Sequence, residues 1–337
     1  MHFTQPATRC SMWLWKSRGT PFLALIILEH SRILIDGLAV KMLVLNILQN
    51  FDGRKASFCP GCGEKTDKPS LMKRGLFLCR KCKRQTSITA GTLFHGSHKP
   101  LRTWFLAMWF VTSQKHGASA LGLKRVLGLG SYNTAWTWLH KLCRAMVRPG
   151  RDQLTGEVEV DETYVGGVGT KIRGRGAKRK VIVAIAAEVR GRGPGRIRMA
   201  KISDLSAPSL RRFVRDNVQR GAELRTDGWS GYNGIEVMGY KHTVINISDS
   251  GDPAHVVMPR VHRVASLLDR WWLGIHQGAI RPSHLDYYLD EFTFRFNRRT
   301  SKARGLLFYR IMEQAVDCRP VPRKMIIGGQ SQHMVYG

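Results

Sequence analysis

Acidic residues are scarce in this sequence. Its 337 residues include 24 Asp and Glu against 54 Lys and Arg, a formal charge of +30. The basic excess runs along the chain rather than in one tail. That favours a polyanionic partner, nucleic acid first; an anionic membrane surface or simple solubility is the plainer explanation. Long apolar runs are also missing. The patches FLALIILE (22–29) and LAVKMLVLNIL (38–48) are too short to cross a bilayer, and Lys41 interrupts the second, so no membrane span is expected. Two Arg and one Lys precede the first patch, but no small-residue cleavage site follows it at the usual distance, which argues against a signal peptide. Cysteine is sparse, and four of the seven residues form a metal-type pattern rather than a disulfide framework. A reducing, cytoplasmic setting follows. No internal repeat is found.

What is present suits a globular chain: 43% hydrophobic residues and nine Trp, enough for one large core or several smaller ones. The texture changes along the chain. Residues 1–53 fit no clean period and carry no assignable role. A Cys-rich module spans 54–90, a Trp- and Leu-rich helical region spans 91–150, an α/β region spans 156–315, and a tail covers 316–337. In the α/β region, strand-like runs at 157–164, 180–189 and 196–203 are separated by the basic, Gly-rich linkers GVGTKIRGRGAKR and RGRGPG. A helix at 207–219 opens with Ala207-Pro208 and keeps Leu210, Phe213, Val214 and Val218 on one face. Then come a strand at 222–227, a short helix near 230–236, a strand at 241–247, and helices near 260–275 and 283–298. That order, β-β-β-α-β-α-β-α, predicts one mixed sheet covered by helices.

Cys59-Pro-Gly-Cys62 and Cys79-Arg-Lys-Cys82 give the spacing C-x2-C-x16-C-x2-C. Two tight knuckles at this separation can direct four thiolates to one tetrahedral Zn²⁺, and a full thiolate shell makes such a metal structural. The alternative is four unrelated cysteines or a redox pair. Lys73, Arg74, Arg80, Lys81, Lys83 and Arg84 surround the module and suit a phosphate-facing surface or a solvated rim. Cys10, Cys143 and Cys318 read as ordinary apolar positions. Further on, KPLRTWFLAMWFVTSQKHG (99–117) is apolar nearly all round and predicts a buried helix. Residues 118–146 then read as helix, Gly-marked turn at Gly128–Gly130, and second helix from Ser131. This pattern is helix-turn-helix-like, with Tyr132, Asn133 and Thr134 at the start of a recognition helix, although any helical hairpin looks similar.

The acids that do occur are concentrated. In GEVEVDETYVGG (156–167), strand alternation puts Glu157, Glu159 and Asp161 on one face and Val158 and Val160 on the other. A solvated edge strand paired with Arg would look the same. However, Asp227 ends a later strand in LRTDGWSGY, and two carboxylates on neighbouring strands suit Mg²⁺. Two such ions can activate an attacking oxygen and stabilise a leaving one in phosphodiester displacement.

Taken together, CPGC…CRKC, ITAGTLFHGSHKPLRTWF, VEVDETYVGG, LRTDGWSGY, GYKHTVIN, WWLGIHQGAI and HLDYYLDEFTFRFNRRTS resemble the IS1595-type (ISXO2-like) transposases over roughly residues 55–315. The resemblance implies an RNase H-like catalytic domain of the DDE type behind a zinc ribbon. It implies Mg²⁺- or Mn²⁺-dependent cleavage at insertion-sequence ends and joining to target DNA; a nucleoid-associated protein is then expected, and at least a dimer because two ends must be held together. It puts Asp161 and Asp227 on the first two acidic positions and His262, in VHRVASLLDRWW, on the third ligand position. Imidazole suits Mn²⁺ better than Mg²⁺. Asp269, two helical turns on, stands where the family carries Lys, and departs from the pattern. It is an alternative ligand or the mark of an inactive copy. Glu291 is a second alternative, but an i,i+4 pair with Arg295 is its simpler role. Ten Lys or Arg in 168–200, with Arg295, Arg298 and Arg299, are available to DNA phosphates. The rival reading is a catalytically inactive, zinc-dependent DNA-binding protein or repressor derived from such an enzyme.

Overall fold

The acidic run becomes the middle strand of a five-stranded sheet. The computed structural model describes residues 57–59, 61–66, 70–72, 76–87, 89–148, 150–166, 180–245, 251, 253–277, 281–302 and 304–328. The segment 1–53, the basic linker through 179, Lys73, Arg74, Cys10 and the end of the tail lie outside the described residues.

Five short strands open the described chain: β1 (Ser57–Phe58), β2 (Lys65–Thr66), β3 (Ser70–Leu71), β4 (Leu76–Leu78) and β5 (Gln85–Ser87). β1 pairs with β2, and β3-β4-β5 form a second antiparallel sheet. Three helices follow: α1 (Leu101–Ser113), α2 (Ala120–Leu127) and α3 (Tyr132–Arg144). α2 begins where the Ser119 side chain accepts from the Gly122 N–H at 3.0 Å. It ends at Gly128, whose φ of 60° is the left-handed stop that glycine adopts without a Cβ clash. The turn therefore falls where the glycines sit, and Tyr132 and Asn133 are exposed at the start of α3. These helices bury Trp104 against Trp138, with stacked rings 3.7 Å apart, and pack on Phe308 and Ile311 from a later helix.

The main sheet contains β6 (Glu157–Val165), β7 (Val181–Arg190), β8 (Gly193–Ile202), β9 (Glu223–Asp227) and β10 (Lys241–Ile245), in the order β10-β9-β6-β7-β8. β6, β7 and β8 pair antiparallel as hairpins, whereas β9 and β10 join parallel. α4 (Ala207–Asn217) makes the crossover to β9. It lays Leu210, Phe213 and Val214 on the sheet face formed by Val158, Val160, Ala184 and Ala186. Burial of each such side chain contributes about 1.5–3 kcal/mol. The opposite face, with Val183, Ile185, Ala187, Ile197 and Met199, is covered by α5 (Pro259–His276) and α6 (Leu285–Asn297). α7 (Arg304–Asp317) and the short α8 (Arg323–Ile327) complete the described chain.

α6 is buried on both sides. Leu289, Phe292 and Phe296 face the sheet while Phe294 enters the helical core. The architecture is the mixed α/β sheet expected for an RNase H-like domain. One difference is local: the short helix anticipated near 230–236 is two 3-10 turns, Ser230–Tyr232 and Glu236–Met238. A Cβ at Gly231 would stand 2.7 Å from the Leu205 carbonyl oxygen, so the chain passes too close there to build a wider turn.

Candidate metal centres

The cysteine module brings its four sulfurs within 4.8 Å of one another. Cys59 Sγ and Cys82 Sγ are 3.5 Å apart, and Cys62 Sγ and Cys79 Sγ 3.7 Å. A tetrahedral Zn²⁺ with Zn–S of about 2.3 Å separates its sulfurs by roughly 3.8 Å, so the donor set fits. The knuckle backbone prepares one thiolate: N–H groups of Gly61 and then Cys62 lower Cys59 to about 6. At Cys82 the Arg84 amide works in the same direction, but burial and the other three sulfurs outweigh it and push the thiol up to about 12. Four sulfurs this close cannot all ionise unless a cation neutralises them. Arg80, Lys81, Lys83 and Arg84 are exposed around the module.

The second centre is assembled from three elements. β6 and β9 run parallel as far as Glu159 beside Arg225, and beyond that pair the Asp227 charge still acts on Asp161. Asp161 lies on the α5-covered face, opposite Ile185 of β7. His262, on the first turn of α5, reaches the same place: its Nε2 is 3.7 Å from Asp161 Oδ2. That nitrogen is buried without a hydrogen-bond partner. The gap is too long for a hydrogen bond but lies within twice the ~2.1 Å ligand distance of a small divalent ion. Each carboxylate is oriented by its own backbone. Asp161 Oδ1 accepts from the Glu162 N–H at 2.8 Å, and Asp227 Oδ1 from the Trp229 N–H at 3.2 Å. Burial raises the Asp161 carboxyl above the usual range, with a further push from Asp227, against the Glu162 amide and His262. Asp161 and His262 together offer a carboxylate oxygen and an imidazole nitrogen, with the Asp227 charge acting on Asp161 from nearby, although the three do not close into a cluster as tight as the four sulfurs; the surroundings penalise uncompensated charge.

Supporting groups lie around this cluster. Glu162 points to the other face, where the buried Tyr232 hydroxyl donates to its carboxylate. Burial, then the Glu162 charge, holds the Tyr232 phenol well above its ordinary value, so it remains a donor. Trp229 Nε1 donates to the Leu205 carbonyl at 3.0 Å and pins the loop after Asp227. The alternative ligands lie apart. Asp269 is exposed, and the positive charge acting on it is Lys180. Glu291 is buried and paired with Arg295 at 2.7 Å, the simpler role anticipated for it, while Cys143 donates to its other oxygen at 3.8 Å. Arg295 also donates to the Gln114 and Val111 carbonyls, so its guanidinium ties α6 to α1 and does not face solvent phosphate. Arg298 and Arg299 lie over the Phe294 and Phe296 rings.

Glu159 is the residue whose task sequence reasoning missed. It is wholly buried, and its carboxylate accepts the Arg260 and Val261 N–H groups of α5 at 2.7 and 2.9 Å. The available signal was a helix that opens on Met-Pro, with no capping side chain of its own.

Among the described residues no helix is long and apolar enough to cross a membrane. A family model described as the ISXO2-like transposase domain matches residues 153–297. An uncharacterized protein in transposable element ISH50 of Halobacterium salinarum is 29% identical over 276 residues, which cover 74% of this chain and 88% of that protein. A chain of the simian T-cell lymphotropic virus intasome, solved with PP2A regulatory subunit B56 gamma, overlaps 55% of this chain and 65% of its own length, at 12% identity and a TM-score of 0.29. A likeness that slight adds nothing to the architecture described above. The family match spans β6 to α6, the strands and helices that carry Asp161, Asp227 and His262, and this segment is similar to the ISXO2-like transposase domain.

Proposed function

We propose that the protein is a DNA transposase that cleaves insertion-sequence ends and joins them to target DNA by metal-dependent phosphoryl transfer. The observation that carries this reading is the buried His262 Nε2, without a hydrogen-bond partner and 3.7 Å from Asp161 Oδ2. Asp161, Asp227 and His262 would hold Mg²⁺ or Mn²⁺, and the imidazole favours Mn²⁺. Bound there, the ions would activate the attacking oxygen and stabilise the leaving one. In the first step water attacks the phosphorus and a 3′-hydroxyl leaves. In the second that hydroxyl attacks a target phosphodiester and displaces a new 3′-hydroxyl. The Glu162 and Trp229 amides each hold Oδ1 of one carboxylate, which leaves Asp161 Oδ2 facing His262.

Recognition of DNA is assigned to the preceding regions. In 54–90, Zn²⁺ on Cys59, Cys62, Cys79 and Cys82 would hold the exposed Arg80, Lys81, Lys83 and Arg84 towards phosphates. In 91–150, Tyr132 and Asn133 at the start of α3 would meet base edges. Two element ends must be held at once, so a dimer or larger assembly is the working form. The test incubates purified protein with Mn²⁺ or Mg²⁺ and DNA carrying the flanking element ends. Joined product from the wild type but not from Asp161→Asn is the expected result. Tight binding with no cleavage by either protein would overturn catalysis and leave the DNA-binding rival.

A further inference from the structure

We infer that Glu159 is a positioning residue: from the strand that carries Asp161, it clamps the first turn of α5 and so sets His262 against Asp161. This deepens the proposed function, because it concerns the same metal site. α5 is eighteen residues long, yet its N-cap residue, Met258, makes no side-chain cap, and Pro259 has no N–H to offer. The next two donors, the Arg260 and Val261 N–H groups, both go to Glu159 Oε2, at 2.7 and 2.9 Å. Glu159 Oε1 is 3.3 Å from Arg260 Nη1, and Arg260 Nη2 donates to the Gly191 carbonyl at 2.9 Å. The cap thus comes from the sheet.

Two features mark this as more than a local hydrogen bond. First, Glu159 is 0% exposed, so its charge is tolerated only because two N–H groups at the positive end of a helix and a guanidinium compensate it. Arg225, its neighbour across the parallel pairing, is engaged with Glu157 at 2.5 Å instead, which leaves Glu159 to the helix. Second, alternation puts Glu159 and Asp161 on the same face of β6, two residues apart. His262 is the residue directly after Val261. One strand therefore holds both a ligand and the clamp on the turn from which the third ligand projects. The packing of Val261, Val264 and Leu268 of α5 on the sheet is apolar and non-directional. It holds the helix down, whereas the directional bonds to Glu159 fix its register.

The experiment uses the full, zinc-loaded chain labelled with ¹⁵N-histidine, with His262→Ala assigning the His262 ring signals. In wild type, Asp161→Asn is expected to shift those signals. In Glu159→Gln, which keeps the side-chain volume, His262 is expected to lose that response. Mn²⁺ affinity by electron paramagnetic resonance is expected to fall about 10- to 100-fold in Glu159→Gln, the usual effect of losing a residue that orients a ligand. It is expected to fall no further when Glu159→Gln is added to His262→Ala. If Glu159→Gln melts out, Glu159→Asp, which keeps the charge but shortens the reach, takes its place. A His262 response to Asp161→Asn that survives in the Glu159 variant overturns the inference, as does its absence in wild type. Multiplying losses in the double variant overturn it also. Wild type that binds no Mn²⁺, but loses the ring response in Glu159→Gln, sinks the metal reading and leaves the positioning role standing.

Discussion

The cysteine module and the Asp161 cluster are both candidate metal centres, and they are built in opposite ways. The four sulfurs come from two short knuckles within one 24-residue stretch, at the surface, with the strands around them only two or three residues long. The carboxylates and the imidazole come from β6, β9 and α5, up to a hundred residues apart in sequence, and lie within a packed sheet. A small module with so little apolar burial would depend on a bound metal to fold, whereas the sheet has its own apolar cores around the charges it buries. On the proposed function, a metal at the first centre would serve structure and one at the second would serve chemistry.

The largest expected effect tests the first half of that contrast. Removing zinc, or replacing Cys62 by Ser, should unfold residues 57–87 while β6 to β10 remain protected. A structural zinc in small modules is worth about 10 kcal/mol or more, so hydrogen exchange should separate the two regions clearly. Loss of protection in both would break the comparison.

Next in size is the chemistry. Asp161→Asn should lower end cleavage by more than about a hundredfold, beyond the cost of losing a residue that merely supports a ligand. Its zinc content, measured by atomic absorption, should not change.

A smaller effect goes the other way. Because Asp161 is held above the usual carboxylate range by burial and then Asp227, the folded chain binds its proton more tightly than the unfolded chain does. Its ionisation therefore costs stability at neutral pH, and this cost disappears below the unfolded pKa. Without Mg²⁺ or Mn²⁺, Asp161→Asn should melt a few degrees higher than wild type at about pH 7.5. The gain should shrink as pH falls through the raised folded value towards the ordinary one, as calorimetry would show. A lower melting temperature at every pH would mean that the carboxylate is structural.

The smallest effect belongs to the Lys81–Glu64 pair on the cysteine module, 2.7 Å long with both side chains about half exposed or more. Glu64→Gln should leave zinc-loaded melting unchanged within error at physiological salt, since solvent screens such pairs.

Much of the fold was legible in advance because its signals are local. Alternation in VEVDETYV, the Gly-punctuated hairpins and the apolar stripe of Leu210, Phe213 and Val214 each predict an element that is present. The 3-10 turns after Asp227 were not legible, because their shape follows from the approach of Gly231 to the Leu205 carbonyl, a contact across 26 residues. Glu159 was read as part of an acidic face and not as a helix cap, because its partners lie a hundred residues away.

By itself the sequence determined the cysteine spacing, the succession of strands and helices along the chain, and which residues carry charge that a metal or DNA could meet. These follow from periodicity, turn chemistry and ligand type, each of which acts over a few neighbouring residues. Only the tertiary structure decided that Asp161 and His262 stand 3.7 Å apart, that Glu159 caps the helix carrying His262, and that Glu291 and Arg295 serve each other instead. Such pairings depend on strand register and on how a helix seats on a sheet, and packing across the whole core sets both.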